Sequence, residues 1–198
     1  MMEKLNSLNE IFQAVEKCTE CKLYKFRNKT VFAEGTSSAK IMVIGLSPGQ
    51  QENKTGKLFI GPAGDFLNEL LSLAKIKRDF IYITNIVKCH APTYAIGQQE
   101  ISTCAPYLDK QINIIKPEII IPLGSAASVY ILKKYKLGEG KISKVHGQLF
   151  EVAIGDLFTP SQNIKIIPMF HPAAALHNPA FLSSIKEDWQ KLSGIVHI

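Results

Sequence analysis

Four cysteines carry the most obvious chemistry in this chain: Cys18 and Cys21, two residues apart, then Cys89 and Cys104, separated by 14. Four thiolates can hold a zinc ion, often as two close pairs. The 14-residue gap suits a zinc knuckle poorly. An iron–sulfur cluster also needs four thiolates and tolerates irregular spacing. Disulfides are a third reading and unrelated buried thiols a fourth. A two-residue spacing in a cytosolic chain favours metal or redox chemistry, but spacing alone does not choose iron over zinc. Three further groups combine polar side chains with turn residues: Gly45–Asn53 (GLSPGQQEN), Asn85–Cys89 (NIVKC) and His171–Leu176 (HPAAAL). Asn85 offers an amide that both donates and accepts, and His171 an imidazole. Gly49 and Pro48 allow backbone to approach a ligand closely.

These groups need a frame. Leu5, Leu8, Phe12 and Val15 recur at helical spacing, which predicts a helix over residues 5–17. Lys40–Gly45 (KIMVIG) reads as a buried strand entering a turn. Ala63–Lys75 reads as an amphipathic helix and Phe80–Thr84 as a second strand. A helix over Gln99–Ile115 closes at Lys116-Pro117, a third strand covers Ile119–Leu123, and a helix runs from Gly124 to about Lys134. Gln148–Ile154 and Lys165–Met169 read as two more strands, joined by a polar loop at Thr159-Pro160-Ser161. Asn178-Pro179 opens a last helix that ends near Leu192. Apolar strands alternating with amphipathic helices predict an α/β domain with a largely parallel sheet. Ligands sit at the carboxyl ends of such strands, and the three polar groups fall at strand ends.

The chain has 198 residues, within the size of a single domain, so residues 1–198 are expected to form one unit. Hydrophobic residues make up 46% and charged residues 20%, an ordinary balance for a globular protein. No apolar run is long enough to span a bilayer, and the N-terminus is polar and amphipathic, without a signal-peptide pattern. The expectation is a cytoplasmic protein with no membrane partner. The net charge of +6 is compatible with a polyanionic partner but is weak evidence for one. No basic tail, repeat or low-complexity tract is evident.

Taken in order, Cys18-x2-Cys21, GLSPGQQENKTGKLFIGPAGDFL (Gly45–Leu67), ITNIVKC (Ile83–Cys89), Cys104 and MFHPAAAL (Met169–Leu176) resemble the iron–sulfur uracil-DNA glycosylases of the family-4 type. The resemblance runs from about Cys18 to the last helix. It implies a three-layer α/β/α sandwich, base excision from DNA containing uracil, and a [4Fe–4S] cluster on Cys18, Cys21, Cys89 and Cys104. It places Phe59 as the aromatic that stacks on the flipped base. Asn85 pairs with uracil O4 and N3–H, and His171 donates to O2. Leu46, Ser47, Gly49 and Gln50 form a loop around the base, and Leu176 is an apolar wedge in the minor groove. His90 occupies a position where relatives often carry Arg, which brings it near DNA. His90 itself and the other histidines (His146, His177 and His197) read as structural or merely exposed.

The chain departs from the family pattern in its first motif. Leu46 stands where a glutamate is usual, and Asn53 replaces an aspartate. Glu52 remains as the carboxylate that can position water. Leu46 and NKTGK (Asn53–Lys57) look like the sister family-5 enzymes, which accept more deaminated bases. The alternatives are therefore a glycosylase of broader range, or a non-catalytic relative that binds damaged DNA. A third is an electron carrier or a zinc protein. A monomer is expected. A sliding clamp or other repair protein is a plausible partner, although no convincing clamp-binding peptide is present.

Overall fold

The computed structural model describes residues 2–92, 96–138, 140–154 and 162–196. Along the chain come α1 (Met2–Lys17), a 3-10 turn (Lys22–Lys25), β1 (Ala33–Gly35), β2 (Ile41–Gly45), α2 (Gln50–Thr55), α3 (Pro62–Leu73), β3 (Ile81–Asn85), α4 (Gln98–Ile115), β4 (Ile119–Pro122), α5 (Gly124–Lys134), α6 (Ile142–Val145), β5 (Phe150–Ile154), β6 (Gln162–Ile166), α7 (Ala173–His177) and α8 (Leu182–Leu192). The strands form one sheet in the order β1-β3-β2-β4-β6-β5. The inner strands β3, β2, β4 and β6 are parallel, and β1 and β5 close the edges antiparallel.

Continuous apolar runs make the inner strands. Every residue of β2 (IMVIG), β3 (IYITN) and β4 (IIIP) is buried, as a sheet covered on both faces requires. Alternation then divides the side chains between two cores. Ile41, Val43, Ile81, Ile83 and Ile121 pack with Leu67 and Leu70 of α3 and Trp189 of α8. Met42, Ile44, Tyr82 and Ile120 pack with Leu108 and Ile112 of α4 and Ile131 of α5. The expected α/β/α sandwich follows. Helix α1 lies over α4 and buries Leu8, Ile11 and Val15.

The long elements lie where the sequence predicts them, and the short ones have no counterpart in the prediction. β1, α2, α6 and α7 have three to six residues, too few for a periodic signal. β6 begins at Gln162, before the expected Lys165. Its ladder to the β4 strand still runs on through Ile167 and Met169, which donate to Ile120 and Pro122. The last helix starts at Leu182 rather than Asn178, because the Asn178 Oδ1 caps a 3-10 turn (Pro179–Phe181) by accepting the Ala180 N–H at 3.1 Å. The Thr159–Ser161 loop and His197 lie outside the described residues. Among those described, no helix is long and apolar enough to cross a membrane.

Candidate functional site

The carboxyl ends of β2 and β3, the α2–α3 connection and α7 enclose a cleft of about 350 Å³, within the usual size of small-ligand pockets. Ser47, Gly49, Gln50, Glu52, Phe59, Asn85, His171 and Leu176 all line it. Asn85, the last residue of β3, is 2% exposed, and its side-chain amide makes no hydrogen bond among the described residues. Facing the cleft without a protein partner, the amide is free to pair with whatever enters. Gly45 lies beside it in the parallel register. A Cβ there would stand 2.2 Å from the Asn85 Oδ1, so only glycine leaves the amide its place.

His171 follows the ladder that ends at Met169. The Ala173 N–H donates to its Nδ1 at 3.1 Å, which leaves Nε2 to carry the proton of the neutral ring. Burial pushes its pKa down to about 4, so near neutrality it presents an uncharged N–H donor. The Phe59 ring stacks against His171, with centroids 5.7 Å apart and planes 27° from parallel.

Phe59 holds a left-handed backbone, φ 46°, which a residue with a Cβ seldom adopts. Two charged side chains grip the peptide before it. The Arg78 guanidinium donates to the Leu58 carbonyl at 2.9 Å, and the Glu52 Oε1 accepts the Phe59 N–H. The other Glu52 oxygen accepts the Gly49 N–H and so caps α2. Burial raises the Glu52 pKa, against the lowering pull of the backbone N–H groups of Gly49, Phe59 and Ile60 and of Arg78. At Gly64 of α3, a Cβ would fall 1.7 Å from the Phe59 carbonyl oxygen.

Leu46 departs from the sequence expectation, because it is not among the residues that line the cleft. Strand alternation gives the reason: like Met42 and Ile44, its side chain joins the core on the α4 side. Asn53 is also outside the cleft; its Oδ1 accepts the Asn28 N–H at 2.8 Å, as a carboxylate would. Three histidines are engaged or peripheral. His90 Nδ1 bonds the Pro48 carbonyl at 2.9 Å, steadying the loop after β2. His146 pairs with Asp188 at 2.6 Å, and His177 ends α7. Sequence reasoning misses Arg78, which lies outside the motifs, between Leu67 and Ile83, and reaches the site through the fold.

A second centre lies on the α4 side. Cys18, Cys21, Cys89 and Cys104 line one hollow together with Arg27, Lys88 and Tyr107. Arg27 Nη1 donates to the Cys89 sulfur at 3.3 Å and to the Cys18 carbonyl at 2.8 Å, and the Lys88 N–H donates to the Cys104 sulfur at 3.3 Å. Burial pushes the Cys104 thiol up to about 11 and raises Cys89, while Lys88 and Arg27 respectively pull them back. Such donors suit sulfurs that carry negative charge. Among the described residues, no three Cys, His, Asp or Glu side chains are grouped to share a single ion.

Residues 32–193 match the family model described as the uracil DNA glycosylase superfamily. The chain belongs to the uracil-DNA glycosylase superfamily. Among its relatives, a Type-4 uracil-DNA glycosylase of Saccharolobus solfataricus is 40% identical over 95% of this chain and 86% of its own. One from Sulfurisphaera tokodaii is 38% identical over 95% of this chain and 84% of its own. A Type-5 uracil-DNA glycosylase of Pyrobaculum aerophilum is 26% identical over 70% of this chain and 63% of its own. Both types that the motifs resemble are thus represented, and the Type-4 likeness is the stronger. As a member of this superfamily, the chain carries its cleft where open α/β sheets bind ligands, at the carboxyl ends of the strands.

Proposed function

We propose that this superfamily member removes uracil from DNA by hydrolysing the N-glycosidic bond of a flipped-out nucleotide, leaving an abasic site. The observation that carries the reading is the free, buried Asn85 amide beside a neutral His171 and the Phe59 ring. A glycosylase must hold an extruded base and stabilise it as a leaving group. Phe59 stacks on the base, an interaction worth ~1–3 kcal/mol. Asn85 pairs with O4 and N3–H of uracil. Cytosine presents the opposite donor pattern, and a buried mismatch of that kind rejects an analogue by ~10⁴-fold or more.

As the C1′–N1 bond breaks, charge grows on the uracil ring, largely on O2. The His171 Nε2–H donates to that oxygen. Ser47, Gly49 and Gln50 border the same space, and Leu176, 51% exposed on α7, fills the stack from the minor groove. Glu52 anchors Phe59, and its remaining lone pairs serve to position water. Because Leu46 projects to the α4 side, its lack of a carboxylate takes no group out of the cleft.

The same reading assigns the four cysteines an iron–sulfur cluster of the [4Fe–4S] type. When bound, the cluster supplies iron–thiolate bonds that tie the N-terminal segment to the β3 exit and α4. A brown protein with absorbance near 400 nm supports it, whereas a colourless protein with bound zinc overturns it.

The deciding assay is excision from a duplex holding one uracil, with hypoxanthine and xanthine duplexes alongside. His171→Ala is expected to slow uracil release by ~10²–10³-fold, as loss of one preorganised donor does elsewhere. Asn85→Ala should slow it and weaken discrimination against cytosine. DNA left intact by excess wild-type protein sinks the reading.

A further inference from the structure

Lys88 is the one lysine with no exposed surface among the described residues. In a DNA-binding protein a lysine is ordinarily a phosphate contact, and this one cannot be. It lies behind the cleft, on the α4 side of the sheet. Its Nζ donates to the Asn85 backbone carbonyl at 2.6 Å, to Gln111 Oε1 at 2.6 Å and to Thr84 Oγ1 at 2.7 Å. Three acceptors match the three hydrogens of an ammonium. The Phe32 ring lies 5.7 Å away, and no carboxylate is paired with it among the described residues. The acceptors are themselves fixed. Thr84 Oγ1 donates to the Phe32 carbonyl at 2.7 Å, and Gln111 Nε2 to the Tyr82 hydroxyl at 2.9 Å. The Lys88 N–H also bonds the Cys104 sulfur at 3.3 Å.

A buried cation with no carboxylate partner is expensive to keep, even with the cysteine centre close by. The buried surroundings on this face are otherwise largely apolar, with Thr84 and Gln111 as polar exceptions. The bond that reaches the cleft is the one to Asn85. β3 ends at that residue; the Ile86 N–H of the same peptide donates to the Gly45 carbonyl at 3.0 Å, and Lys88 holds the peptide's carbonyl side. The direction of this carbonyl sets the direction of the side chain on the same residue.

We propose that Lys88 is a positioning residue for base recognition, fixing Asn85 from behind while its main chain is tied to the cysteine centre through Cys104. This rests on Asn85 reading the base. Lys88 touches neither DNA nor base, so it acts wholly through Asn85.

The test is a double-mutant cycle on single-turnover excision of uracil, using iron-loaded wild type, Lys88→Met, Asn85→Ala and the double variant. Lys88→Met is expected to slow excision by ~10²-fold, the scale of a small misplacement of a catalytic group. In the Asn85→Ala background it should cost less than about 3-fold, because residues that act as a unit are not additive. Iron per chain, DNA affinity and the salt dependence of binding should match wild type. Equal slowing in both backgrounds, or a wild-type rate for Lys88→Met, overturns the proposal. A fast Asn85→Ala variant instead overturns the underlying reading of Asn85. If Lys88→Met does not fold or load iron, Gln111→Met decides the question. It removes one anchor of the ammonium, and its smaller loss must also vanish without the Asn85 amide.

Discussion

His171 shows how a single residue's setting decides its use. Its Nδ1 is committed to the Ala173 N–H and burial keeps the ring neutral to about pH 4. The excision rate is therefore expected to show no histidine inflection between pH 5 and 8. Stability follows with a definite sign. Below pH 6.5 an unfolded histidine takes up a proton that the folded one refuses until about pH 4. The unfolded state then binds more protons, so stability present above pH 6.5 is lost as pH falls toward 4. Urea midpoints should show wild type losing on the order of 2 kcal/mol relative to His171→Gln across that window. Parallel curves would remove the claim of a neutral imidazole. Glu52 makes the converse point, since a carboxylate lining the cleft is spent largely on backbone N–H groups.

At the scale of elements, the site is assembled by strand ends and by what the adjacent turns leave empty. Gly64→Ala would drive a methyl into the Phe59 carbonyl. It is expected to cost about 3 kcal/mol or more if α3 cannot shift, the range of core overpacking, read as a lower denaturation midpoint together with slower excision. An unchanged midpoint would mean that α3 moves freely. The buried strands are legible in the sequence because each is a short apolar run followed by a turn, and so are Asn85 and His171 at two strand ends. Leu46 is not, because proximity in a motif says nothing of which face a side chain takes. Alternation along β2 decides it, since Gly45 faces the cleft and its neighbour must face away. α7 leaves no trace in the sequence because five residues after a proline give no periodicity.

For the whole molecule, the proposed cluster would make the four cysteines fasteners. Two come from the link between α1 and the 3-10 turn, one follows β3 and one sits in α4. Arg27, the Lys22–Glu100 ion pair at 3.2 Å, buried Leu23 and the packing of α1 on α4 also hold the segment around Cys18 and Cys21. Cys21→Ser is expected to lower the thermal midpoint by about 5–10 °C, corresponding to ~2–3 kcal/mol for a chain of this size. Hydrogen exchange should speed up in α1 before the sheet is affected. A midpoint equal to wild type, with iron absent, would show that the segment holds by packing alone. Residue type signals the convergence of the cysteines. It does not signal Arg27 or Lys88, because an arginine or lysine in sequence reads first as surface.

The grip on the Leu58–Phe59 peptide has a further consequence, for the search along DNA. Arg78 holds its carbonyl and Glu52 its amide. A platform already in place has no closing step of its own. On the proposed reading, a base that swings out would meet a receptor held by these two contacts, and the time spent per site would belong to the duplex, to how often a pair opens.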